Sequence, residues 1–507
     1  MSFMKNLEDE MNVSVTENGA LGYKTTGKAL LDFNFKVATY REKSDNEIQH
    51  DFIKVWNENN ELAIKYLFYV RDIREGLGER RLFREAIKPI IKDLDVRVFD
   101  WIEEYGRLDD LFVFMNTGLE TAMINWVKDK LTQDALLAKQ NKPCSLMAKW
   151  MPSINTSSQE TKKLAKRFVK EFDITEKEYR KMLASLRGHI KVLEKQLCAN
   201  KWDEVDYETV PSMANLKYKK AFKKHDFERR KAYEDALEKG EAKINSSVLF
   251  PHDIVNKYGH NYGWRSSISA YDATLEAMWK ALPDYVQGDE SVLVVRDGSG
   301  SMTSKVGNTE TSALDISTAL AIYFSERAGG EFKDKFITFS SRPEFVDLSK
   351  FKTLRDKLIE CYKYDDCSNT DIEATFDLVL KVAVKNKLKQ NQLPTLMIVS
   401  DMEFDEATGN YNSFWGRSTG RNLPNDKLFE KINAKYAKCG YTLPRLVFWN
   451  VHSSTGTIPV KENEAGVALV SGFSAAITKL VLSNETDPYK VLVKELMSER
   501  YSQVTLK

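Results

Sequence analysis

The sequence has no long apolar run and no excess of charge of one sign. No stretch approaches the roughly eighteen uncharged apolar residues that suggest a membrane-spanning helix, and residues 1–10 lack the apolar core of a signal peptide. With 75 basic and 74 acidic residues in 507, the net charge is +1, so any nucleic-acid site must be a local patch. We therefore expect a soluble cytoplasmic protein of two or three domains.

Cysteine and the common catalytic motifs are also scarce. The five cysteines are scattered without a CxxC pair, which is typical of reduced thiols in a cytosol-like compartment. The six histidines show no HExxH spacing, and the chain has neither a G-x-S-x-G elbow nor a P-loop Gly-Lys-Ser/Thr. These patterns mark metalloproteases, serine hydrolases and nucleotide-binding enzymes, and without them we expect no enzymatic activity.

The most informative stretch that is present runs from Val292 to Met302, Val-Leu-Val-Val-Arg-Asp-Gly-Ser-Gly-Ser-Met. An apolar strand ends in Asp-x-Ser-x-Ser, so the carboxylate of Asp297 and the hydroxyls of Ser299 and Ser301 emerge together at the strand's tip. Ligand sets made only of oxygen suit a hard divalent cation such as Mg²⁺. The pattern therefore indicates a candidate cation site.

Two later segments supply further oxygen ligands. The segment Ser-Asn-Thr-Asp, which contains Thr370, precedes a helical pattern from Ile372 to Val384, and the apolar strand that begins at Leu396 ends in Asp401. In a doubly wound sheet, ligands bind outside the carboxyl ends of the strands. We therefore expect Asp297, Ser299, Ser301, Thr370 and Asp401 to converge on one Mg²⁺ (or Mn²⁺).

Other interpretations of these residues stay open at the level of sequence. The stretch could be a Ser/Gly turn followed by two ordinary strand-end aspartates. Gly298-Ser-Gly300-Ser could also hold a nucleophilic serine, although the flanking Asp297 and Met302 fit a cation site better and no partner histidine is apparent. Four further acids near this face could either coordinate a second ion or be solvated: Asp365, Asp366, Glu403 and Asp405.

The chain changes its pattern near residue 285. Residues 1–45 are turn-rich, whereas residues 46–285 carry apolar residues at helical spacing, for example in 61–70, 82–91 and 162–172. Such helical pairs favour an α-solenoid of irregular repeats, although no clean sequence period is present. From 286 to 482, strands alternate with helices, which favours a parallel sheet covered on both faces.

The individual elements of this second region can be placed from the pattern. We predict strands at 291–296, 395–400, 445–451 and near Val467, and a pair of strands between Phe332 and Leu348. Helices are predicted at 312–327, 351–362, 372–386, 427–438 and from Ala475 onward. The remaining residues, 483–507, predict one more amphipathic helix between Pro488 and Tyr501.

The constellation Asp-x-Ser-x-Ser, Thr370 and Asp401 resembles the metal-ion-dependent adhesion site (MIDAS) of von Willebrand factor A domains. The resemblance implies that Asp297, Ser299, Ser301 and Thr370 surround Mg²⁺ directly or through water, and that Asp401 acts directly or through water. Arg296 departs from that family, which usually has a small or apolar residue there. Strand alternation places its side chain on the opposite face from its neighbours, so we expect the site to be intact.

Helical repeats followed by such a domain resemble the Ro ribonucleoproteins, which combine a HEAT-like (TROVE-type) ring with a von Willebrand factor A domain. Local stretches are similar to a less characterised group of these proteins in plants, bacteria and large viruses: Thr16–Ala20, Arg71–Arg80, Glu104–Asp110, Lys149–Ser153 and Val210–Ala214. The resemblance implies a multidomain α + α/β fold. Its segments are an irregular 1–45, a helical repeat array at 46–285 that is curved or ring-like, a doubly wound A domain at 286–482 and a terminal helix at 483–507.

The Ro resemblance further implies that the helical array binds RNA, either small structured non-coding RNA or the ends of misfolded RNA. Three groups of cations are candidates for phosphate contacts. They are Arg71, Arg74, Arg80 and Arg81; Lys162, Lys166 and Lys170; and Lys217, Lys219, Lys220, Lys223, Lys224, Arg229 and Arg230. The third group is the densest, with eight basic and two acidic residues between Lys217 and Lys231.

Each cationic group also has a structural interpretation. Asp72, Glu75 and Glu79 lie among the first arginines and could form internal ion pairs with them. The lysines of the second group could form the solvated side of an amphipathic helix. In the third group, Tyr218, Phe222 and Phe227 are either exposed platforms for bases or a buried stripe. If no RNA binds, the alternative function is a protein–protein adaptor whose metal grips an acidic partner.

Overall fold

A computed structural model describes residues 11–15, 21–259, 267–286, 291–339, 343–365, 372–403, 426–458, 467–477 and 487–506. The chain divides into two compact units. We call the first the α/β unit (Met1–Ala63, Arg74–Leu77 and Ser246–Arg500) and the second the helical unit (Ile64–Ile73, Gly78–Asn245 and Tyr501–Lys507). The predicted fold class, α together with α/β, is confirmed at this level. The units are discontinuous in sequence, so they do not follow the predicted boundaries at 45, 285 and 482.

The described strands are β1 Val13–Val15, β2 Leu21–Tyr23, β3 Val292–Asp297, β4 Lys335–Phe339, β5 Phe345–Asp347, β6 Thr395–Ser400, β7 Leu446–Asn450 and β8 Val467–Ser471. The described helices are α1 Ala29–Phe35, α2 Asp45–Glu58, α3 Asn60–Arg71, α4 Arg80–Ile87, α5 Val98–Tyr105, α6 Glu120–Lys139, α7 Met147–Trp150, α8 Gln159–Phe172, α9 Glu176–His189, α10 Leu193–Cys198, α11 Ser212–His225, α12 Phe227–Lys239, α13 Pro251–Tyr258, α14 Ala273–Lys280, α15 Ala313–Arg327, α16 Leu354–Cys361, α17 Ile372–Asn386, α18 Asp426–Lys438 and α19 Pro488–Leu496.

The α/β unit contains a six-stranded sheet in the order β5-β4-β3-β6-β7-β8. Neighbouring strands from β4 to β8 are parallel, and β5 is antiparallel to β4. Antiparallel pairing follows from the short connection between Phe339 and Phe345, because a parallel partner needs a crossover of about a dozen residues. The chain thus departs in both directions from the central pair β3 and β6, which is the strand order of a doubly wound fold.

Side-chain alternation on the strands gives the sheet two covered faces. Leu293 and Val295 of β3 belong to a buried cluster with Phe376 of α17 and Tyr436 of α18. On the opposite face, β3 packs against α15. Ser312 starts α15 with a capping box, since its hydroxyl accepts from Asp315 N at 3.0 Å and the Asp315 carboxylate accepts from Ser312 N at 3.1 Å. The sheet is therefore held at its central strand by helices from both sides.

The N-terminal residues form part of the α/β unit instead of a separate irregular segment. Strands β1 and β2 pair as a hairpin, and Tyr23 exchanges backbone hydrogen bonds of 2.9 Å with Ile458. Asn450 Nδ2 donates to the carbonyl of Phe35 at 3.0 Å, and Ser471 Oγ accepts from the backbone N–H of Ala38 at 3.0 Å. The segment after β2 consequently packs over the carboxyl ends of β7 and β8.

The helical unit contains no strand among its described residues, as the helical spacing predicted. Its core is rich in aromatic residues: the Phe68 ring contacts Phe83, Trp101 and Tyr105 at centroid distances of 5.5, 5.6 and 5.8 Å. Helix α9 packs against α6, α7 and α8, and α11 packs against α12. Among the described residues of both units, no helix is long and apolar enough to cross a membrane.

The end of the chain contributes to both units. Helix α19 begins at Pro488, where a helix was predicted, and belongs to the α/β unit. Tyr501 is fully buried in the helical unit, with its ring against Tyr69 and Tyr105. Of the helix predicted from Ala475 onward, residues Ala475–Ile477 form a 3-10 turn, and its remainder lies outside the described residues.

Candidate metal centre

Two aspartates lie at the carboxyl ends of β3 and β6, the two central strands between which the strand order reverses. Asp297 is the last residue of β3, and Asp401 directly follows Ser400, the last residue of β6. These strands are parallel neighbours, with Arg296 opposite Val399, so both carboxyl ends lie at one edge. This is the position at which doubly wound folds bind their ligands. The two residues are 104 positions apart in the sequence, and the strand order alone brings them together.

Asp297 is fixed by hydrogen bonds to both of its carboxylate oxygens. Ser400 Oγ donates to Oδ2 at 2.5 Å, and the backbone N–H of Ser299 donates to Oδ1 at 2.9 Å. The hydroxyls of Ser299 and Ser301 lie 3.1 Å apart. Asp401 accepts from the backbone N–H of Glu403 at 3.1 Å and from Ser400 Oγ, the same hydroxyl that bonds Asp297, at 3.5 Å. Four of the five predicted ligands therefore share one cluster; the fifth, Thr370, lies outside the described residues.

The electrostatics of the cluster favour a cation. Asp297 is inaccessible to solvent and Asp401 is 2% exposed. Burial raises the pKa of Asp297, and burial together with the charge of Asp297 raises the pKa of Asp401 to about 8. Two buried carboxylates side by side repel each other, and a divalent cation between them would offset this repulsion.

The donor set fits a hard divalent ion. Carboxylate and hydroxyl oxygens are the ligand types that Mg²⁺ and Mn²⁺ prefer, and Mg²⁺ is commonly held by one or two carboxylates with water or ligand oxygens completing the shell. Among the described residues, no group of three or more His, Cys, Asp and Glu side chains is arranged to hold a metal. The cluster around Asp297 contributes two carboxylates and two hydroxyls, so any ion there would keep positions for water or a partner.

Arg296 makes an interaction that the sequence did not reveal. Its guanidinium is fully buried, forms an ion pair with Asp365 and donates to Thr318 Oγ1 at 2.8 Å. The pKa of Arg296 is raised: burial alone would lower it, but Asp365, Cys361 and Asp297 together outweigh burial. The expectation that Arg296 points to the opposite face from its strand neighbours agrees with its contacts to α15 and to Asp365, which follows α16.

Asp365 and Glu403 were expected either to coordinate a second ion or to be solvated, and both expectations are wrong. Asp365 is buried and already paired with Arg296. Glu403 is 3% exposed, and its carboxylate accepts hydrogen bonds from Ser453, Ser454 and Thr455, at 3.0 Å from the Thr455 hydroxyl. The loop after β6 is thereby tied to the loop after β7. Asp366 and Asp405 lie outside the described residues.

Among the predicted RNA contacts, the third group lies on α11 and α12. Lys217, Lys220, Lys223 and Lys224 are exposed on α11, and Lys219 is half-buried. Lys223 pairs with Glu234 at 3.0 Å. Arg229 is exposed, but it bonds Asp226 and two backbone carbonyls, and Arg230 is fully buried beside the rings of Tyr207 and Phe222. An RNA surface on these helices would consist mainly of lysines.

The other two groups are also divided between surface and interior. Arg71 is buried and donates to Asp110 at 2.7 Å, whereas Arg74, Arg80 and Arg81 are exposed. On α8, Lys166 and Lys170 are exposed and Lys162 is half-buried. Because Arg71 and Arg230 are buried, a phosphate cannot reach them. For Arg71, the acidic pair Asp109-Asp110 in the sequence was the available signal of an internal ion pair.

The fold and the strand-end cluster together define a doubly wound α/β protein with an oxygen-rich site at the turn of its strand order. Residues 291–503 match a family described as "Domain of unknown function (DUF7788)". Residues 16–92 and 157–289 match another, "Domain of unknown function (DUF2828)". The chain is also similar to "Uncharacterized protein L728" of Acanthamoeba polyphaga mimivirus, with 29% identity over 531 residues, covering 96% of this chain and 87% of that protein.

Proposed function

We propose that the α/β unit is a von Willebrand factor A-type module that binds Mg²⁺ (or Mn²⁺) and, through it, a carboxylate of a partner. The observation that carries this proposal is the pairing of two buried carboxylates, Asp297 and Asp401, at adjacent strand ends beside two serine hydroxyls. Two buried like charges are costly without a counter-charge. A bound cation would supply the counter-charge that this pair of carboxylates lacks.

Each residue has a distinct role in this proposal. Asp297 would supply a carboxylate oriented by Ser400 and by the N–H of Ser299. Ser299 and Ser301 would supply hydroxyl oxygens, and Asp401, which is held by the backbone N–H of Glu403, would act directly or through water. Thr370 would supply a further hydroxyl. When bound, the ion would act as a Lewis acid that accepts an oxygen ligand from a glutamate or aspartate of a partner.

Mn²⁺ bound to the full-length protein offers a direct test, because its water ligands are visible by proton relaxation. A short peptide with one central glutamate should displace water from bound Mn²⁺ and lower the relaxation enhancement. The same peptide with glutamine should have no effect. If both peptides leave the enhancement unchanged while Mn²⁺ is bound, the site holds metal without gripping an acidic partner, and the adaptor function fails.

RNA binding by the helical unit is a second candidate, in which the helices are HEAT-like repeats as in the Ro ribonucleoproteins. The specific observation in its favour is the row of exposed lysines Lys217, Lys220 and Lys224 along α11. Exposed cations at this density are suited to phosphates of small non-coding or misfolded RNA.

Salt and chelation distinguish the two candidates. RNA affinity should fall steeply with ionic strength, because each neutralised phosphate releases counterions. A chelator should abolish binding of the acidic partner and leave RNA affinity unchanged, since the metal residues and α11 belong to different compact units. If sequencing of RNA crosslinked to the protein in its native cell shows no enriched RNA, the RNA candidate is rejected.

A further inference from the structure

Three sequence-distant stretches of the helical unit meet in a cluster of arginines. Arg84 of α4 donates from Nε to Asp110 at 2.6 Å, and its Nη2 lies 3.0 Å from a carboxylate oxygen of Asp109. Arg107 binds both oxygens of Asp109, at 2.5 and 2.6 Å. The Arg107 guanidinium also lies 4.0 Å from the ring centroid of Trp150 at the end of α7. The side chains of this cluster are therefore held in fixed positions.

The cluster carries more positive than negative charge. Asp109 and Asp110 lie near four arginines. Arg71 is buried, Arg84 and Arg107 are half-buried, and Arg80, one helical turn before Arg84, is exposed. Among these six side chains, the positive charges therefore outnumber the negative charges by two. Partial burial, and then the charges of Arg107 and Arg84, lower the pKa of Arg80. An anion next to Arg80 would offset this repulsion.

Several N–H groups of these arginines are still available to an anion. Within the described residues, Nη1 of Arg84 and Nη1 of Arg107 donate no hydrogen bond, and Arg80 makes none from its side chain. Arg84 Nη2 is buried 3.0 Å from a carboxylate oxygen of Asp109, so this nitrogen is not open to an anion. A guanidinium presents five donors in a rigid fork that matches the oxygens of a phosphate.

We propose that Arg80, Arg84 and Arg107 form a phosphate-binding site for the backbone of single-stranded RNA, with Trp150 beside it as a stacking surface for a base. This inference rests on the second candidate function, RNA binding. A phosphate is favoured because it can bridge several guanidinium forks at once. Single-stranded RNA is favoured because the half-buried Trp150 ring adjoins the cations, and unpaired bases stack on such rings.

The test uses the full-length protein and a fluorescent oligouridylate, with affinity measured by fluorescence anisotropy at several salt concentrations. Arg80→Gln removes the exposed cation, which takes no part in the buried ion pairs. Arg107→Lys keeps a charge but removes the fork. Arg97→Gln is the matched control, because Arg97 likewise binds both oxygens of an aspartate, Asp95, and lies 5.6 Å from the ring centroid of a tryptophan, Trp101.

We expect Arg80→Gln and Arg107→Lys each to weaken binding about tenfold, and Arg80→Gln to reduce the salt slope by about 0.7. Arg97→Gln should bind RNA within about twofold of wild type, because the charge of Arg97 is already paired with that of Asp95. Unchanged melting temperatures would show that the variants are folded. Should Arg107→Lys lower the melting temperature, the exposed Arg80→Gln variant decides the matter.

Three outcomes would overturn the inference. If wild type binds RNA and the Arg80 and Arg107 variants bind equally well, the site is elsewhere although RNA binding stands. If Arg97→Gln weakens binding as much as Arg80→Gln, the effect is general electrostatics and not a built site. If wild type binds no RNA, the second candidate function fails with it, and a doubly phosphorylated peptide that binds instead would assign the arginines to a phosphoprotein.

Discussion

At the scale of single residues, the candidate metal centre depends on buried charges that are matched in pairs. Arg296 lies in the central strand of the sheet, where apolar residues are usual, and its partner Asp365 lies four residues after the end of α16. A Cβ on Gly298, in the turn after Asp297, would lie 3.3 Å from the Tyr364 carbonyl and 3.4 Å from Arg296 Nη2. The ion pair and this close approach hold the Asp297–Ser301 turn against residues 364–365.

Removal of Arg296 alone should be severe. Arg296→Met leaves the buried Asp365 carboxylate without the opposite charge of Arg296, so we expect a loss of about 3–5 kcal/mol in the free energy of unfolding, measured by urea denaturation. The double variant Arg296→Met/Asp365→Leu should recover most of this loss, because neither charge is then buried. If the free energy of unfolding of Arg296→Met lies within about 1 kcal/mol of wild type, the buried ion pair between Arg296 and Asp365 is contradicted.

Cys361 offers a residue-scale test of burial next to this ion pair. Burial raises the pKa of its thiol to about 12, so almost none is thiolate near neutral pH. In the native protein at about pH 8, iodoacetamide should alkylate the exposed Cys198 and Cys439 and spare Cys361, as read by mass spectrometry. In urea, Cys361 should react like the others. Alkylation of native Cys361 at the rate of Cys198 would refute the described packing.

At the scale of elements, local patterns predicted most of the sheet. Strands β3, β6, β7 and β8 and helix α15 occur within a residue or two of their predicted bounds. Their apolar alternation and turn signals are properties of consecutive residues, and parallel order then placed Asp297 next to Asp401. The pairing of β5 with β4 as an antiparallel edge was not specified, although the short connection after β4 required it.

Contacts between segments that are distant in the sequence could not be predicted. Nothing local to Phe35 or Ala38 indicates that they bond Asn450 and Ser471, more than 400 positions away. Likewise, Asp365 and Glu403 looked like loop acids, because their partners Arg296 and Ser453 lie elsewhere in the sequence. Burial of a charged residue is decided by its partner, and a single sequence does not name the partner.

Helix α11 separates a buried ring from exposed lysines, and variants can test each side. Phe222 is fully buried, so Phe222→Ala should cost about 3–5 kcal/mol of unfolding free energy. Lys220→Gln/Lys224→Gln should leave the melting temperature unchanged and weaken RNA binding about fivefold or more. Lys177→Gln/Lys181→Gln on α9, exposed and at the same spacing, is the control. Equal RNA affinities for the two double variants would remove α11 from the RNA surface.

At the scale of the whole molecule, the chain is interleaved between its two units. Residues 1–63 and 246–500 belong to the α/β unit, and the last seven residues belong to the helical unit. Within the helical unit, Lys65 donates to the carbonyl of Tyr501 at 2.8 Å, and the Tyr501 hydroxyl bonds Asp72 at 3.3 Å. A simple cut near residue 245 or 285 therefore removes parts of a core.

Truncation tests this arrangement. A chain that ends at Arg500 loses the buried ring of Tyr501 and the Tyr501 carbonyl, which accepts a hydrogen bond from the 3% exposed Lys65. We expect a loss of about 3 kcal/mol or more in the free energy of unfolding, followed by chemical denaturation. A chain that ends at Val504 keeps these contacts and should match wild type. Equal stability of the two truncated chains would show that Tyr501 is not part of the core.

The central claim is that Asp297 and Asp401 hold a divalent cation, and a Mn²⁺ titration followed by electron paramagnetic resonance tests it most directly. Wild type should bind one Mn²⁺, and Asp297→Asn, which keeps the size of the side chain, should weaken binding by more than about tenfold. Asp347→Asn on the edge strand β5 should bind as wild type does, because Asp347 is exposed and away from the cluster. An Asp297→Asn protein that binds Mn²⁺ as tightly as wild type would contradict the account.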